Sequence, residues 1–466
     1  MKRHYACDIV VVGAGPAGLS AAQAAAEKNL DVVVVDANSH PGGQYYMQPL
    51  GAGSVFARSA QVMRGKTRIR GATAAGVKML LATEVWGAVP GFVLHARDAD
   101  DAVCIESKVV IAATGAHDRV QAFPGWTLPG VMTPGAAQRL AKTSSVPPGR
   151  RTVLAGSGPF LLPVAGAILK AGGTLVEVVE AQSSLLSTLP LLAAHPNKWL
   201  ETMRLLFPVL AARTRLRFGE VVVAASGEER VREVELAPLD AEGQPDFARR
   251  RVVQDIDSLL VGFGFQPQIE LTAVLGCRHH FDEEAGGWCC TVEKDCGATD
   301  TSGVFAAGEV CGVNGAVPAA LSGRIAGLAA AGHILDEETA FERRTLARSL
   351  QRARRFARGL NRRFMPPAGL IGRLPDETVI CRCEDVTAGE IRETITEGMD
   401  TIHGVKLWTR AGMGPCQART CGWSLARLVA EETGNSMEAI GFSRPRMPLR
   451  PVPLNVVRDS LQQVEE

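Results

Sequence analysis

The sequence has almost no net charge, no long apolar run and no leader-like start, and each absence removes a class of function. Fifty Lys and Arg against 49 Asp and Glu leave a formal net charge of +1, which argues against a dedicated nucleic-acid or membrane-surface protein. No apolar run approaches the ~18 residues that a membrane span needs. Met1 leads almost directly into an apolar strand, so no secretory leader is expected and the expected location is cytoplasmic. Any membrane association is expected through partners. Hydrophobic residues make up 46% and charged residues 21% of the 466, enough for a full core and roughly three domains. The eleven cysteines read as ligands or free thiols rather than disulfides.

The chain is organised around its first βαβ unit. Asp8-Ile-Val-Val-Val12 is a strand-like run, followed by Gly13-Ala-Gly15-Pro16-Ala17-Gly18 and an Ala-rich helix from Ala17 to Lys28. A second β-branched run, Val32 to Val35, ends on Asp36. Gly13 permits the tight turn, Gly15 lets a pyrophosphate approach the backbone, and Gly18 lets the helix pack closely on the strand. The pyrophosphate would rest on unpaired N–H groups at the helix N-terminus, and Asp36 would accept from an adenosine ribose. Dinucleotide binding is the expectation.

Further on, His40-Pro-Gly-Gly43-Gln44-Tyr45-Tyr46 is the loop that lies near the flavin in two-dinucleotide-domain flavoproteins. In disulfide reductases it leads into a redox-active cysteine pair. Here no cysteine follows before Cys104, which argues against that mechanism. Val109 to Ala113 is a strand closed by Thr114-Gly115, where glycine allows backbone close to a cofactor. Phe123-Pro-Gly-Trp-Thr-Leu-Pro-Gly130 is a turn-rich domain crossing. Arg151 to Glu180 then repeats the opening pattern, with Gly156-Ser-Gly158 as the turn, Leu161 to Lys170 as the helix and Glu180 at the end of its second strand.

This copy is degenerate, because Leu161 holds the third glycine position. It reads either as a nicotinamide or adenine nucleotide site, with Glu180 favouring a 2′-hydroxyl, or as an empty scaffold. Ser258 to Gly264 leads back to the first domain. Gly308-Glu309 follows a short strand, with a carboxylate able to bond a flavin ribitol. The helix starting near Val317-Pro318 can aim its N-terminal dipole at the flavin. Glu309 departs from the usual Asp at that place. Glu342 to Arg363 is helical in pattern, with nine arginines against one acid, either a solvated face or a docking surface for an acidic partner. Met365-Pro-Pro-Ala-Gly marks a linker.

The last hundred residues hold Cys381-Arg-Cys383 on a strand-like segment, then a helix capped by Thr387 and Glu390, then Cys416-Gln-Ala-Arg-Thr-Cys421. Two thiol pairs supply four ligands, as a [2Fe–2S] cluster or a tetrahedral zinc would need. A single residue between the first two cysteines favours the cluster, because zinc pairs are usually spaced by two to four. Cys7, Cys104, Cys277, Cys289, Cys290, Cys296 and Cys311 read as structural thiols, and His117, His279 and His280 as structural histidines. No catalytic acid–base pair can be chosen.

The cysteine module resembles the bacterioferritin-associated ferredoxin type of [2Fe–2S] domain. Placed behind a two-domain flavoprotein, it resembles the large subunits of bacterial heteromeric amine dehydrogenases. That group comprises the D-hydroxyproline dehydrogenase α subunit, the octopine and nopaline oxidase A subunits, and the hydrogen cyanide synthase B subunit. The resemblance runs through Gly42-Gly-Gln-Tyr, Phe123-Pro-Gly-Trp-Thr-Leu-Pro-Gly-Val, Ala155-Gly-Ser-Gly-Pro, Cys381-Arg-Cys-Glu-Asp-Val-Thr-Ala-Gly-Glu and Gly414-Pro-Cys-Gln-Ala-Arg-Thr-Cys421.

It implies an α/β fold with two Rossmann-like domains of disulfide-reductase-type flavoprotein architecture, plus a small helical [2Fe–2S] domain. The expected boundaries are a split FAD domain at 1–122 and 268–337, a second nucleotide domain at 123–267, an Arg-rich linker at 338–375, a cluster domain at 376–440 and a Pro-rich tail at 441–466. It also implies a smaller FAD-containing subunit that oxidises a secondary amine of the hydroxyproline, proline or opine type. Electrons would pass through this chain to a quinone-type acceptor, with an FMN at the subunit interface as a further option. The alternatives are a stand-alone NAD(P)H-dependent flavin and iron–sulfur reductase, a hydrogen cyanide synthase subunit acting on glycine, and a zinc-stabilised docking module.

Overall fold

A computed structural model describes residues 2–51, 53–99, 101–184, 189–195, 198–367 and 369–461. The first sheet takes its strands from β1 (Lys2–Val12), β2 (Val32–Val35), β3 (Lys78–Leu80), β4 (Thr83–Val89), β5 (Val93–Asp98) and β6 (Asp101–Ala112). Their order is β3-β2-β1-β6-β5-β4, and the later strand Val304–Ala306 adds to β6. The β3, β2, β1, β6 run and the added strand are parallel, whereas β4 and β5 return antiparallel. The β2 boundaries coincide with the four consecutive valines, which are buried on both faces as parallel strands require. β1 is longer than its apolar run, because Lys2 to Cys7 pair along the first half of β6.

The helix Pro16–Ala26 covers this sheet and packs on the long helix Ala316–Leu335. That packing is unusually close. A Cβ on Gly323 would stand 2.1 Å from Ala17 O, and one on Gly327 2.2 Å from Ala21 O. Side chains at either glycine would force the helices apart.

A second, five-stranded parallel sheet orders β11 (Arg215–Phe218), β10 (Thr174–Glu180), β9 (Arg151–Gly156), Ser258–Gly262 and β8 (Val131–Met132). The helix Leu161–Lys170 begins and ends where its sequence pattern does. Two dinucleotide-type sheets on one chain follow from the internal repeat. Between them the antiparallel pair β7 (Ala116–Asp118) and Phe265–Pro267 carries the chain out and back.

The C-terminal module docks on that crossing. Trp126 Nε1 donates to Val379 O at 2.6 Å, Ala122 N to Ser424 Oγ at 3.1 Å, and Ser424 Oγ to Val120 O at 3.2 Å. Its buried residues, among them Cys381, Cys421 and Leu425, share one apolar core with Val153, Val179 and Leu259 of the second sheet. The helix Ala388–Thr396 carries the full Thr387–Glu390 capping box. Among the described residues no helix is long and apolar enough to cross a membrane.

Candidate functional site

The carboxyl ends of β1, β6 and Val304–Ala306 bring the glycines of the first loop together, the place where open α/β sheets take ligands. Gly13 sits at φ +109°, and a Cβ there would lie 2.3 Å from Ala113 O. At Gly18 a Cβ would lie 1.7 Å from Gly13 O, so the helix can approach the turn only without a side chain. Gly15 is the N-cap of Pro16–Ala26, with Pro16 in the first turn and no side-chain cap. The first-turn amides, Ala17 and Gly18 among them, therefore have no intrahelical acceptor, the arrangement from which helix N-termini bind anions.

Gly43 closes the other side. Its own Cβ would fall 2.8 Å from Gly15 Cα, and Gly42 N donates to Ala14 O at 2.8 Å. At Gly308 (φ +81°) a Cβ would meet Ala17 Cβ at 2.7 Å. Thus Gly13, Gly15, Ala17, Gly18, Gly43 and Gly308 converge. Asp36 is 8% exposed. Its Oδ2 accepts from Ala14 N at 2.6 Å, and its Oδ1 from Asn38 N and Nδ2, each at 2.7 Å. It secures the loop and still has lone pairs for a ribose.

Other expected contacts lie at the rim. Thr114 Oγ1 donates to Gln268 O at 2.7 Å, and Gly115 accepts from Gln268 N. Gln44 is exposed, as is Val317 at 60%. The helix beyond Gly315 begins at Ala316 with no side-chain cap. Gly315 N donates to Glu309 Oε1 at 3.1 Å, and burial raises the Glu309 pKa. Glu309 therefore anchors the start of that helix.

The second loop is built differently. Gly156 and Gly158 also have positive φ, +144° and +124°. The helix, however, starts only at Leu161, which is 3% exposed. Glu180 accepts from Gly158 N at 3.0 Å and from Gln182 N at 3.1 Å, and burial raises its pKa to about 7. The linker then seals the edge. Ser157 Oγ donates to Phe364 O at 3.0 Å, and Gln182 Nε2 to Met365 O at 3.3 Å. Ser157 itself is 4% exposed.

The four C-terminal cysteines come together. Cys381 ends a short strand, Cys421 is the N-cap of the helix Gly422–Thr433, and both are buried. The Cys421 thiol donates to Cys381 and Cys416, holding the first down at about 6 and the second at about 4 while its own pKa is raised. Cys416 is hydrogen-bonded in turn to Cys383, whose thiol is raised by burial. Gly412 N donates to Cys381 Sγ at 3.4 Å. Gln417 and Ala418 are consecutive left-handed residues that wrap the loop around Cys416. A Cβ on Gly414 would stand 2.4 Å from Cys383 Cβ. The sulfurs thus run as a chain, 381–421–416–383. They do not form a knot of three or more ligand atoms within 4.8 Å of one another.

His117 reads as structural from the sequence, and no local motif marks Arg119. Both lie between the flavin-type domain and the cysteine module. His117 is bonded to Gln266 at 2.5 Å and reaches Arg419 O at 3.2 Å. Arg119 is 3% exposed, is lowered to about 10 by burial, and stacks 3.9 Å over Trp423. Only the pairing of distant segments reveals them.

Residues 7–326 match the pyridine nucleotide-disulphide oxidoreductase family, and residues 376–459 match the sarcosine oxidase A3 domain. The chain belongs to the pyridine nucleotide-disulphide oxidoreductase family. It is 34% identical to the hydrogen cyanide synthase subunit HcnB of Pseudomonas aeruginosa, over 97% of this chain and 98% of that one. It is 32% identical to the opine oxidase A subunit of Rhizobium meliloti, over 98% and 99%. The solved L-proline dehydrogenase from P. horikoshii shares the fold at a TM-score of 0.72 and 19% identity, covering 98% of this chain and 80% of that one. The α/β, two-Rossmann-domain architecture of an FAD-type oxidoreductase and the resemblance to the cyanide synthase and opine oxidase subunits both hold.

Proposed function

We propose that this chain is the electron-transfer subunit of a heteromeric dehydrogenase acting on a secondary amine or amino acid of the hydroxyproline, proline or opine type. FAD would lie on the first glycine loop, and a [2Fe–2S] cluster would be held by Cys381, Cys383, Cys416 and Cys421. The observation that carries the reading is the union on one chain of a glycine cradle, in which a Cβ at Gly13, Gly18, Gly43 or Gly308 would clash, and four hydrogen-bonded cysteines docked on the interdomain crossing. The donor set fits both groups. Two close pairs of thiols, the first separated by a single residue, suit two irons better than one tetrahedral zinc.

A flavin exchanges two electrons and a [2Fe–2S] cluster one, so the pair joins hydride chemistry to single-electron transfer. This chain's own residues hold the centres in place. Gly13, Gly15 and Gly18 would admit a pyrophosphate, Gly43 and Gly308 pack against the same loop at Gly15 and Ala17, and Asp36 fixes the loop through Ala14 N. Gly412 N and the Cys421 thiol favour thiolate at Cys381 and Cys416.

A smaller FAD-containing subunit would oxidise the amine, with FMN at the interface an option and a quinone-type acceptor downstream. Seven of the nine arginines on the helix Ala340–Arg363 are exposed. Arg358 pairs with Asp282 and Arg362 with Glu284. Arg344, Arg348, Arg352 and Arg355 have no acidic partner among the described residues, which supports docking of an acidic subunit surface. The second nucleotide domain acts as scaffold, its loop edge bonded to the linker. A cytoplasmic location accords with these roles.

The test is dye-linked amine oxidation by the chain alone and with its smaller subunit. Turnover only in the complex is expected. Rapid oxidation of a cyclic amino acid by the chain alone would contradict the division of labour. Cys421→Ser is expected to remove iron and acid-labile sulfide while leaving the flavin bound.

A further inference from the structure

Cys104, which reads as a structural thiol from sequence, stands in a row of ligand-type side chains on the first sheet. β6 sets it opposite His4 of β1 on one side and opposite His95 of β5 on the other. Register partners carry their side chains on one face, with Cβ atoms about 5 Å apart. Glu106, two residues beyond Cys104, returns to that face.

His4, Cys104 and Glu106 each offer a ligand atom, all within 4.8 Å of one another, and His4 Nε2 lies 3.0 Å from Glu106 Oε1. Among the described residues this is the one such set of His, Cys, Asp or Glu. Independently, His95 is 3% exposed and its Nδ1 is buried without a hydrogen-bond partner. Buried polar atoms are nearly always satisfied, but the His95 ring stacks on Trp86 and is not one of the ligand groups within 4.8 Å, so it neighbours the set without belonging to it.

We propose that His4, Cys104 and Glu106 form a zinc-class metal site. One imidazole, one thiol and one carboxylate are the nitrogen, sulfur and oxygen donors that Zn²⁺ accepts, and a thiolate disfavours Mg²⁺ and Ca²⁺. Three protein ligands leave the fourth position to water. Burial and the Glu106 carboxylate raise the Cys104 thiol pKa. A bound dication reverses that preference by taking up the thiolate and releasing a proton. The His4 and Glu106 side chains are about half exposed, at 47% and 55%, so an ion can enter from solvent.

The test uses the full chain, stripped with a chelator and reloaded with Zn²⁺ alone, then with Co²⁺ as the optical probe. Relative to wild type, Cys104→Ser and His4→Ala are each expected to lose one equivalent of zinc with iron content unchanged. The Co²⁺–thiolate charge-transfer band is expected to fall in Cys104→Ser. Because Cys104 is buried, His4→Ala at an exposed position keeps the test decisive if the serine variant unfolds. Equal zinc stoichiometry in wild type and His4→Ala, together with equal thermal stabilisation by zinc, would overturn the site.

Discussion

In the first domain the strand Lys2–Val12 gives way to Gly13 and the helix starts at Pro16, three residues on. In the second, the strand Arg151–Gly156 ends on a glycine and the helix waits until Leu161. Both loops are tied to an acid at the end of the next strand, Asp36 through Ala14 N and Glu180 through Gly158 N. The loops part at the third glycine. Gly18 lets the helix close on the turn, which leaves its first-turn amides uncapped by any side chain. Leu161 fills the same position with a buried side chain, and the linker carbonyls of Phe364 and Met365 take the donors at the loop edge. Two copies of one motif thus diverge by who receives their hydrogen bonds.

The largest effect expected from breaking this contrast is at Gly18. Gly18→Val places carbon 1.7 Å from Gly13 O, which should cost roughly 3–5 kcal/mol and abolish flavin retention. Flavin content and urea denaturation would show it. At the matching place in the second domain, Leu161→Ala empties part of a core and should cost about 2–5 kcal/mol. Flavin content should not change. Loss of flavin in that variant would erase the distinction between the loops.

Glu180 gives a pH signature to the second loop alone. Its carboxyl pKa is raised from 4.5 to about 7 by burial. Its contribution to stability is therefore full below about 4.5 and is lost as pH rises through about 7, a swing of up to about 3 kcal/mol. Glu180→Gln should flatten stability over that window, as followed by thermal unfolding against pH. A smaller change is expected for Ser157→Ala, which removes the donor to Phe364 O and should cost about 1 kcal/mol. If it also let NADH reduce the flavin, the second loop would be a gated site and not a scaffold.

Much of this contrast was legible in the sequence. Four valines in a row fixed the β2 boundaries, and Leu161 already marked the second loop as degenerate. Thr387 and Glu390 announced their helix, because a capping box acts within one turn. What stayed hidden depends on long-range pairing. The Lys2–Cys7 extension of β1 is polar and exists because β6 lies beside it. The bonds from Ser157 and Gln182 to the linker join residues about two hundred positions apart, and the Gly323 and Gly327 contacts depend on which helix lies opposite. Arg119 over Trp423 depends on the cysteine module docking at the crossing.

The most direct test is an anaerobic absorbance spectrum of the purified chain before and after NADH, with iron and sulfide measured on the same sample. A flavin band together with a cluster band, neither responding to NADH, is expected from an open first loop, a sealed second loop and four cysteine ligands. Rapid bleaching by NADH, or a flavin with no iron, would contradict it.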